Sequence, residues 1–440
     1  MKSIKTILPF CLFFGILTCC TKSEEDTIVQ NPLYKQYTVG NRDNSQDSGS
    51  WWGENISKIV HSGNKTFTVV LDNTLSPRTA FLYEKKDNEE WVEGQSFVFS
   101  RFPNILIDLM GYVHVIGFEP FDYLSSPFSG RIIDIKFNAP NTVSGAYTKT
   151  YITEDYRTSG PTLATNSTLF CGAAIGKNGN ILVAYRNSLI LNNSNNNSLA
   201  VRIYNGNTWT FESVATGMTS NFAYPFAFVS DFYYHVYAIE DDYDPYYETA
   251  GLPYSNYCFR YGAVKHFQRP ISGGPWTETT LINLNETKTK KEIWDATLRI
   301  IDFHVDFSGT IHALLRYNTG SKPMCYHYSK KESESSWKSE TILEPESQNK
   351  GIHWAKIWER NDHKLFYICF SWGGQITLSQ INSNSFHTIS SLQGEYGDDP
   401  TPFVSSYRSG TPLGSDLFIV VYSGKYNIKA LSLDVFTSEL

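Results

Sequence analysis

From residue 53 to the C-terminus the chain alternates short apolar runs with polar turns, and one arrangement recurs seven times. Each unit is an apolar strand, a tight polar turn, a second strand of aromatic and β-branched residues, and a hairpin often closed by Trp. The second-strand cores are NKTFTVVLD (64–72), GYVHVIGF (111–118), GNILVAYRN (179–187), DFYYHVYAI (231–239), GTIHALLRY (309–317), HKLFYICFSW (363–372) and SDLFIVVYS (415–423). Short β-branched and aromatic runs between turn signals read as strands. A strand unit that cannot cover its own faces, repeated at a regular spacing, reads as stacked blades. The predicted fold class is therefore all-β, a seven-bladed β-propeller.

Four units place a Trp at the start of the outermost strand: Trp91, Trp209, Trp276 and Trp337. The last unit ends at Leu440 with little room for an outer strand, while KQYTVG (35–40) is left over at the other end. The N-terminal strand is therefore predicted to close the last blade and cover its open edge.

Strands a to d of a blade run up and down, so the a–b and c–d turns share one face, and the b–c and d–a connections share the other. The a–b turns are short, as in HSGN (61–64), KNGN (177–180) and FSGT (307–310), whereas 188–197, 240–255 and 283–295 are long b–c or d–a segments. Long loops on a rigid scaffold usually carry function. The site is thus expected where strands a begin and strands b end. Trp52, Glu54, Arg101, Glu119, Arg186, Tyr224, Glu240, Arg316, His353 and Trp372 meet that rule.

The N-terminus has Lys2 and Lys5, an apolar run from Ile7 to Leu17, and then Thr18-Cys19-Cys20. This is a secretory signal, too short to span a bilayer. Its Leu-x-x-Cys spacing resembles a bacterial lipoprotein box, which implies cleavage before Cys20 and lipidation of that thiol. The acidic run 23–26 resembles the surface-export signal of Bacteroidetes lipoproteins. The expected organisation is a signal at 1–19, a tether at 20–33 and the propeller at 34–440. The expected location is the outer membrane, exposed at the cell surface, with the lipid anchor as the sole membrane contact.

A formal net charge of -7 without a basic cluster argues against nucleic acid. Aromatics at 15 % suit both packed blade faces and sugar-stacking platforms. Cys171, Cys258, Cys325 and Cys369 sit in or beside apolar strand patterns without metal-ligand spacing, so they read as buried thiols, and no metal or other cofactor is expected. A monomer is expected.

His114, His235 and His312 share one slot in their second strands, which points to strand-to-strand hydrogen bonding, and His304 reads the same way. His353 begins a first strand and is the best-placed base. His61 falls in an a–b turn on the opposite face and reads as exposed unless a separate site lies there. Arg186 and Arg316 end second strands, where a rigidly held guanidinium can grip a carboxylate with two hydrogen bonds; a blade-to-blade salt bridge is the other reading for Arg316. Tyr224 begins a first strand, its phenol aimed at the pocket. Trp52, Arg101, Glu119, Glu240, Arg316 and Trp372 are the expected substrate contacts, and Glu119 and Glu240 could also serve as acid or base.

GSWWGENISKIVHSGNKTFTVVLDN, PNILIDLMGYVHVIGFEP, NGNILVAYRN followed by VRIYNGNTW, and NFAYPFAFVSDFYYHVYAI followed by NYCFRY lie in order along blades one to four. In that order they resemble the BNR-repeat propeller family that includes ulvan lyases and enzymes acting on rhamnose linked to glucuronic acid. The resemblance implies an anionic glycan partner, and Arg186 matches the arginine that neutralises the uronate. It departs at SRFPN (100–104) and GFEPFDY (117–123), where histidines are expected, and at TLFCG (168–172), where Phe170 stands near an expected Tyr. β-Elimination needs a base at C5 and a neutralised carboxylate. Tyr224 or His353 would have to supply the base. The sequence thus leaves three readings: a uronate-directed lyase or dehydratase, an α-L-rhamnosidase-type hydrolase with chemistry on the opposite face near His61, or a glycan-binding propeller without catalysis.

Overall fold

All seven second-strand cores form strands, and they do so because a blade inside a ring is covered on both faces. Ile181–Asn187 of blade 3 is buried at every position, and Lys65–Asp72 of blade 1 at every position but the first. The outermost strand of blade 2, Tyr147–Tyr151, is exposed throughout. The structure is a computed structural model. It describes residues 34–44, 55–72, 75–122, 124, 126–155, 169–187, 198–215, 221–243, 259–318, 323–341, 352–371, 374–382, 387–391, 401–422 and 428–437. These belong to one unit, Leu33–Leu440. The signal segment, the tether with Cys20, the loop 188–197, Trp52, Glu54, Cys258 and Trp372 lie outside the described residues.

Among the described residues there are seven four-stranded antiparallel sheets, which form a seven-bladed β-propeller. Six sheets run in simple sequence order. The seventh is composite: Thr401–Val404, Asp416–Tyr422 and Ile428–Phe436 from the C-terminal end, with Tyr34–Asn44 as the outer strand. That strand pairs antiparallel with Ile428–Phe436, from Tyr34 opposite Val435 to Val39 opposite Ala430. The predicted closure is present, and it removes the edge that blade 7 would otherwise expose.

Side chains then lock the closed ring. Lys85 of blade 1 reaches Asp434 of blade 7 at 2.5 Å, with both side chains buried. The same ammonium stands 4.1 Å from the Tyr37 ring on the closing strand. Beside it, Trp91 Nε1 donates to Ser432 Oγ at 2.8 Å. Trp276 staples blade 4 to blade 3 in the same manner, donating to Glu212 at 3.0 Å. The outer-strand tryptophans therefore act as blade-to-blade fasteners, which explains why they begin the outer strand.

Near the axis, buried amides tie several blades to one another. Asn104 at the start of blade 2 accepts from Ser57 N at 3.1 Å and donates to Cys171 O at 2.8 Å, joining blades 1 to 3. Asn55 donates to Phe170 O at 2.7 Å and to Pro225 O at 2.9 Å, joining blades 1, 3 and 4. Blades 3 and 4 approach so closely at Gly172 that a Cβ there would stand 2.0 Å from Pro225 O, leaving no room for a larger residue. The 283–295 segment folds into a 3₁₀ turn, Leu284–Glu286, and a short helix, Lys290–Ala296. Thr289 and Glu292 form a reciprocal capping box at the helix start, and Ile293 and Ala296 bury against the blade 4 and 5 core.

Removing one member of a buried pair strands the other charge. Lys85→Ala is expected to lower stability by about 3–5 kcal/mol, whereas the double change Lys85→Met with Asp434→Leu costs much less. Chemical denaturation of the three proteins checks this. Equal losses in all three would show that closure does not depend on the pair's electrostatics.

Candidate functional site

On the face where strands a begin and strands b end, the described residues bring together side chains from blades 2 to 4. Tyr224 lies in strand a of blade 4, Asn221–Val229, at a bulge where pairing with strand b shifts between Ala223 and Phe226. Its φ of 50° is in the left-handed region, which a bulky residue seldom adopts, and the bulge re-aims its side chain. The Tyr224 ring lies 5.6 Å from Phe170 and 6.3 Å from Tyr261. The Arg101 guanidinium stands 5.5 Å from the other partner of this cluster, the Phe170 ring. Arg186 is in strand b of blade 3, two residues beyond the pair Gly172–Ala184, so the antiparallel register puts it level with Phe170. It is 5 % exposed, held on a fully buried strand.

Phe170 is thus the hub of this cluster. At the sequence level it stands out only as the residue near an expected Tyr; its ring meets Arg101 and Tyr224, and the strand register places Arg186 at the same level. Arg299 begins strand a of blade 5 and so also satisfies the strand-end rule; the register places it directly opposite Arg316. Lys58, one residue before strand a of blade 1, is a further cation with no motif to announce it. Its Nζ is 3.9 Å from both the Phe102 and Phe403 rings.

The other expected contacts fall differently. Arg316 places its guanidinium 5.5 Å from the buried Trp354 of blade 6, a cation–π contact between blades, where a salt bridge had been the other reading. Glu119 is ion-paired with Lys149 on the outermost strand of its own blade, which directs its carboxylate outward from strand b. Glu240 lies in the long strand Tyr233–Tyr243 opposite Phe222. His353 occupies the bulge between Ile352 and Trp354, and its side chain lies outside the described residues.

The recurrent histidines do hydrogen-bond across strands and blades. His304 pairs with Glu359 of blade 6 at 2.9 Å. His235 meets His266 at 3.2 Å, and His312 meets His327 at 2.9 Å. His61 is half-buried, contrary to the exposed position expected of it. It stacks on Phe418 at 3.9 Å, with Nδ1 near Thr66 Oγ1 and Nε2 near Gly63 O. Burial holds its pKa below the usual value, and with both ring nitrogens engaged it is poorly placed for chemistry. Cys171, Cys325 and Cys369 are buried free thiols, and burial pushes Cys171 up to about 12. Among the described residues, no group of three or more His, Cys, Asp or Glu is arranged to hold a metal. A cavity of about 310 Å³ opens on the a–b turn face, opposite the arginines.

The class defined by this fold and face is a seven-bladed propeller, closed by its N-terminal strand, with arginine and aromatic side chains gathered at the strand-b ends. No protein-family model matches the chain, and no curated protein matches it. Among solved structures it is similar to the polysaccharide lyase Uly1, with a TM-score of 0.54 at 10 % identity over 91 % of this chain and 92 % of that one. It is also similar to an α-L-arabinanase of Penicillium chrysogenum complexed with arabinobiose, at TM-score 0.45 and 12 % identity over 76 % and 92 % of the two chains. A family 117 glycoside hydrolase of Zobellia galactanivorans aligns at TM-score 0.33 and 13 % identity over 61 % and 85 %. The likeness to Uly1 establishes a shared fold.

His114 yields a pH prediction. Burial disfavours its charge, but Asp134 at 3.0 Å and Asp108 at 3.6 Å outweigh that and raise its pKa to about 9. A raised pKa stabilises the fold fully below the unfolded value of about 6.5 and loses that contribution as pH climbs through about 9. Stability is therefore expected to fall across that window in the native chain and to stay flatter in His114→Gln. Denaturation midpoints at several pH values check it, and parallel curves for the two proteins would contradict it.

Proposed function

We propose that the chain acts on a uronic-acid-containing glycan at the face where Arg101, Phe170, Arg186 and Tyr224 meet. The observation that carries this is Tyr224 on a strained bulge beside the Phe170 ring, which Arg101 faces at 5.5 Å and with which Arg186 is level in the strand register. A uronate carboxylate held by Arg186 loses much of its negative charge. Its C5 proton then becomes acidic, because the carbanion formed on removal is stabilised through the neutralised carboxylate. The reaction class is β-elimination: a base takes the C5 proton, the C4–C5 double bond forms, and the C4–O bond breaks with its electrons leaving on oxygen. Tyr224 is the proton-transfer group. Phe170 and Tyr261 supply apolar surface for sugar rings, and Arg101 and Arg299 add positive charge along the same face.

The polysaccharide lyase whose fold this chain shares adds support for glycan elimination. The engaged state of His61 weighs against hydrolysis centred on that residue. Cys20 would tether the propeller at the cell surface through its lipid, which suits a soluble domain meeting a polymer that cannot enter the cell.

Incubation with uronic-acid-containing oligosaccharides is expected to produce an unsaturated product, read by ultraviolet absorbance and by mass. Arg186→Ala is expected to lower that rate by about a thousandfold, within the range seen when charge stabilisation of a transition state is lost, with the thermal transition little changed. Tyr224→Phe is expected to lose turnover while still binding. Full activity in Arg186→Ala would remove that arginine from the site, and saturable binding without any product from the native chain would make the propeller a binding module.

A further inference from the structure

The a–b turn face carries chemistry that elimination does not use. Turns of blades 3 to 7 enclose the cavity of about 310 Å³, a volume at the lower end for small-ligand sites. Three of its carboxylates, Glu332, Asp306 and Glu359, are each fixed by a buried histidine. His235 Nε2 lies 2.9 Å from Glu332, His312 Nε2 lies 3.2 Å from Asp306, and His304 Nε2 lies 2.9 Å from Glu359.

Two of these contacts are ends of longer relays whose direction follows from donor and acceptor capacity. Burial keeps His235 and His266 below their usual pKa, and it pushes His312 down to about 4, so these imidazoles are neutral at pH 7. A neutral ring that donates from Nε2 must accept at Nδ1. Tyr367 Oη therefore donates to His327 Nδ1 at 2.7 Å, His327 Nε2 donates to His312 Nδ1 at 2.9 Å, and His312 Nε2 donates to Asp306. In the same way Thr279 donates to His266, His266 to His235, and His235 to Glu332. Each relay ends on an ionised carboxylate that is held in one orientation. Burial alone would raise these carboxylic acids, but the histidine hydrogen bonds more than offset it and hold all three below their usual range. None of these three is a proton donor at neutral pH; each is a fixed acceptor.

The rim shows what it would bind. Phe232 and Phe307 are 71 % and 65 % exposed beside fixed acceptors; His363 stacks on one face of Phe307 at 4.0 Å, so a ligand would meet its other face. Lys331 donates to Thr310 Oγ1 at 2.6 Å and Ser308 Oγ at 2.8 Å, and Lys177 lies 5.6 Å from the Phe307 ring. Four carboxylates against two ammoniums line the cavity, which disfavours an anion. A simple organic cation would compete with lysines already on the rim. Alternating donors and acceptors beside exposed rings suit a ligand with many hydroxyls and an apolar C–H face.

We propose that this cavity is a second carbohydrate site, which binds a neutral sugar unit by stacking on Phe307 and Phe232 and by hydroxyl donation to Glu332 and Asp306. The choice of a glycan ligand rests on the reading above, but the residues, the face and the ligand charge are separate. Titration calorimetry of the full chain would use methyl glycosides of neutral hexoses, 6-deoxyhexoses and pentoses, their trisaccharides, methyl glucuronoside and methylammonium. At least one neutral sugar is expected to bind saturably. Phe307→Ala, a surface change that leaves the relays intact, is expected to weaken it by about tenfold, as is Glu332→Gln. Arg186→Ala is expected to leave this binding unchanged, and Phe307→Ala is expected to leave uronate turnover unchanged, so failure of one site is distinguishable from failure of the other. No saturable binding by any neutral sugar, tighter binding of methylammonium, tighter binding of glucuronoside that persists in Arg186→Ala, or binding indifferent to Phe307→Ala would overturn the proposal.

Discussion

A blade with two apolar faces is stable only between two neighbours, so the ring has to close on itself. This constraint governs the molecule. It accounts for strand b being buried along nearly its whole length, and for the N-terminal strand leaving its own neighbourhood in sequence to pair with Ile428–Phe436. It also accounts for a fully desolvated ion pair, Lys85 with Asp434, at the seam. Such a pair contributes little net stability compared with apolar replacements. It is matched only when blade 1 docks against a completed blade 7, and so it favours one closure over others.

Closure also makes the two faces chemically distinct. At the strand-b ends, Asn55 and Asn104 bind backbone carbonyls of neighbouring blades and draw Phe170 and Pro225 toward the axis, which sets Tyr224 on its bulge beside Phe170. Arginines gather there. On the other face, histidines point from strand b toward carboxylates of the turns, so acceptors gather instead. A chain of net negative charge thereby gathers arginines at one face and acidic and aromatic side chains around a cavity at the other.

What could be read from the sequence follows from how local each interaction is. The repeat, the closing strand and the fastening tryptophans were legible because each depends on residues close in sequence or on one leftover segment. The structural role of His114, His235 and His312 was legible from recurrence, and the Asp six residues before His114 and before His312 is a spacing that announces part of each network. The carboxylate partners from elsewhere were not. Glu332 reaches His235 from the next blade, and Glu359 reaches His304 in the same way, so no spacing encodes them. The site arginine and Tyr224 could be placed on a face by strand order, but the bulge that aims Tyr224 and the central position of Phe170 depend on cross-blade contacts. The pairing of Glu119 with Lys149 was not legible either, because strand ends fix a level in the blade and leave the facing open.

The central claim is that a uronate glycan is taken by the arginine face. Hydrogen–deuterium exchange on the full chain, with and without a uronic-acid-containing oligosaccharide under conditions that block turnover, tests it most directly. Slowed exchange is predicted at residues 169–172, 184–187 and 221–226, with the turns at 230–233 and 306–309 unchanged. Protection confined to those turns would contradict it.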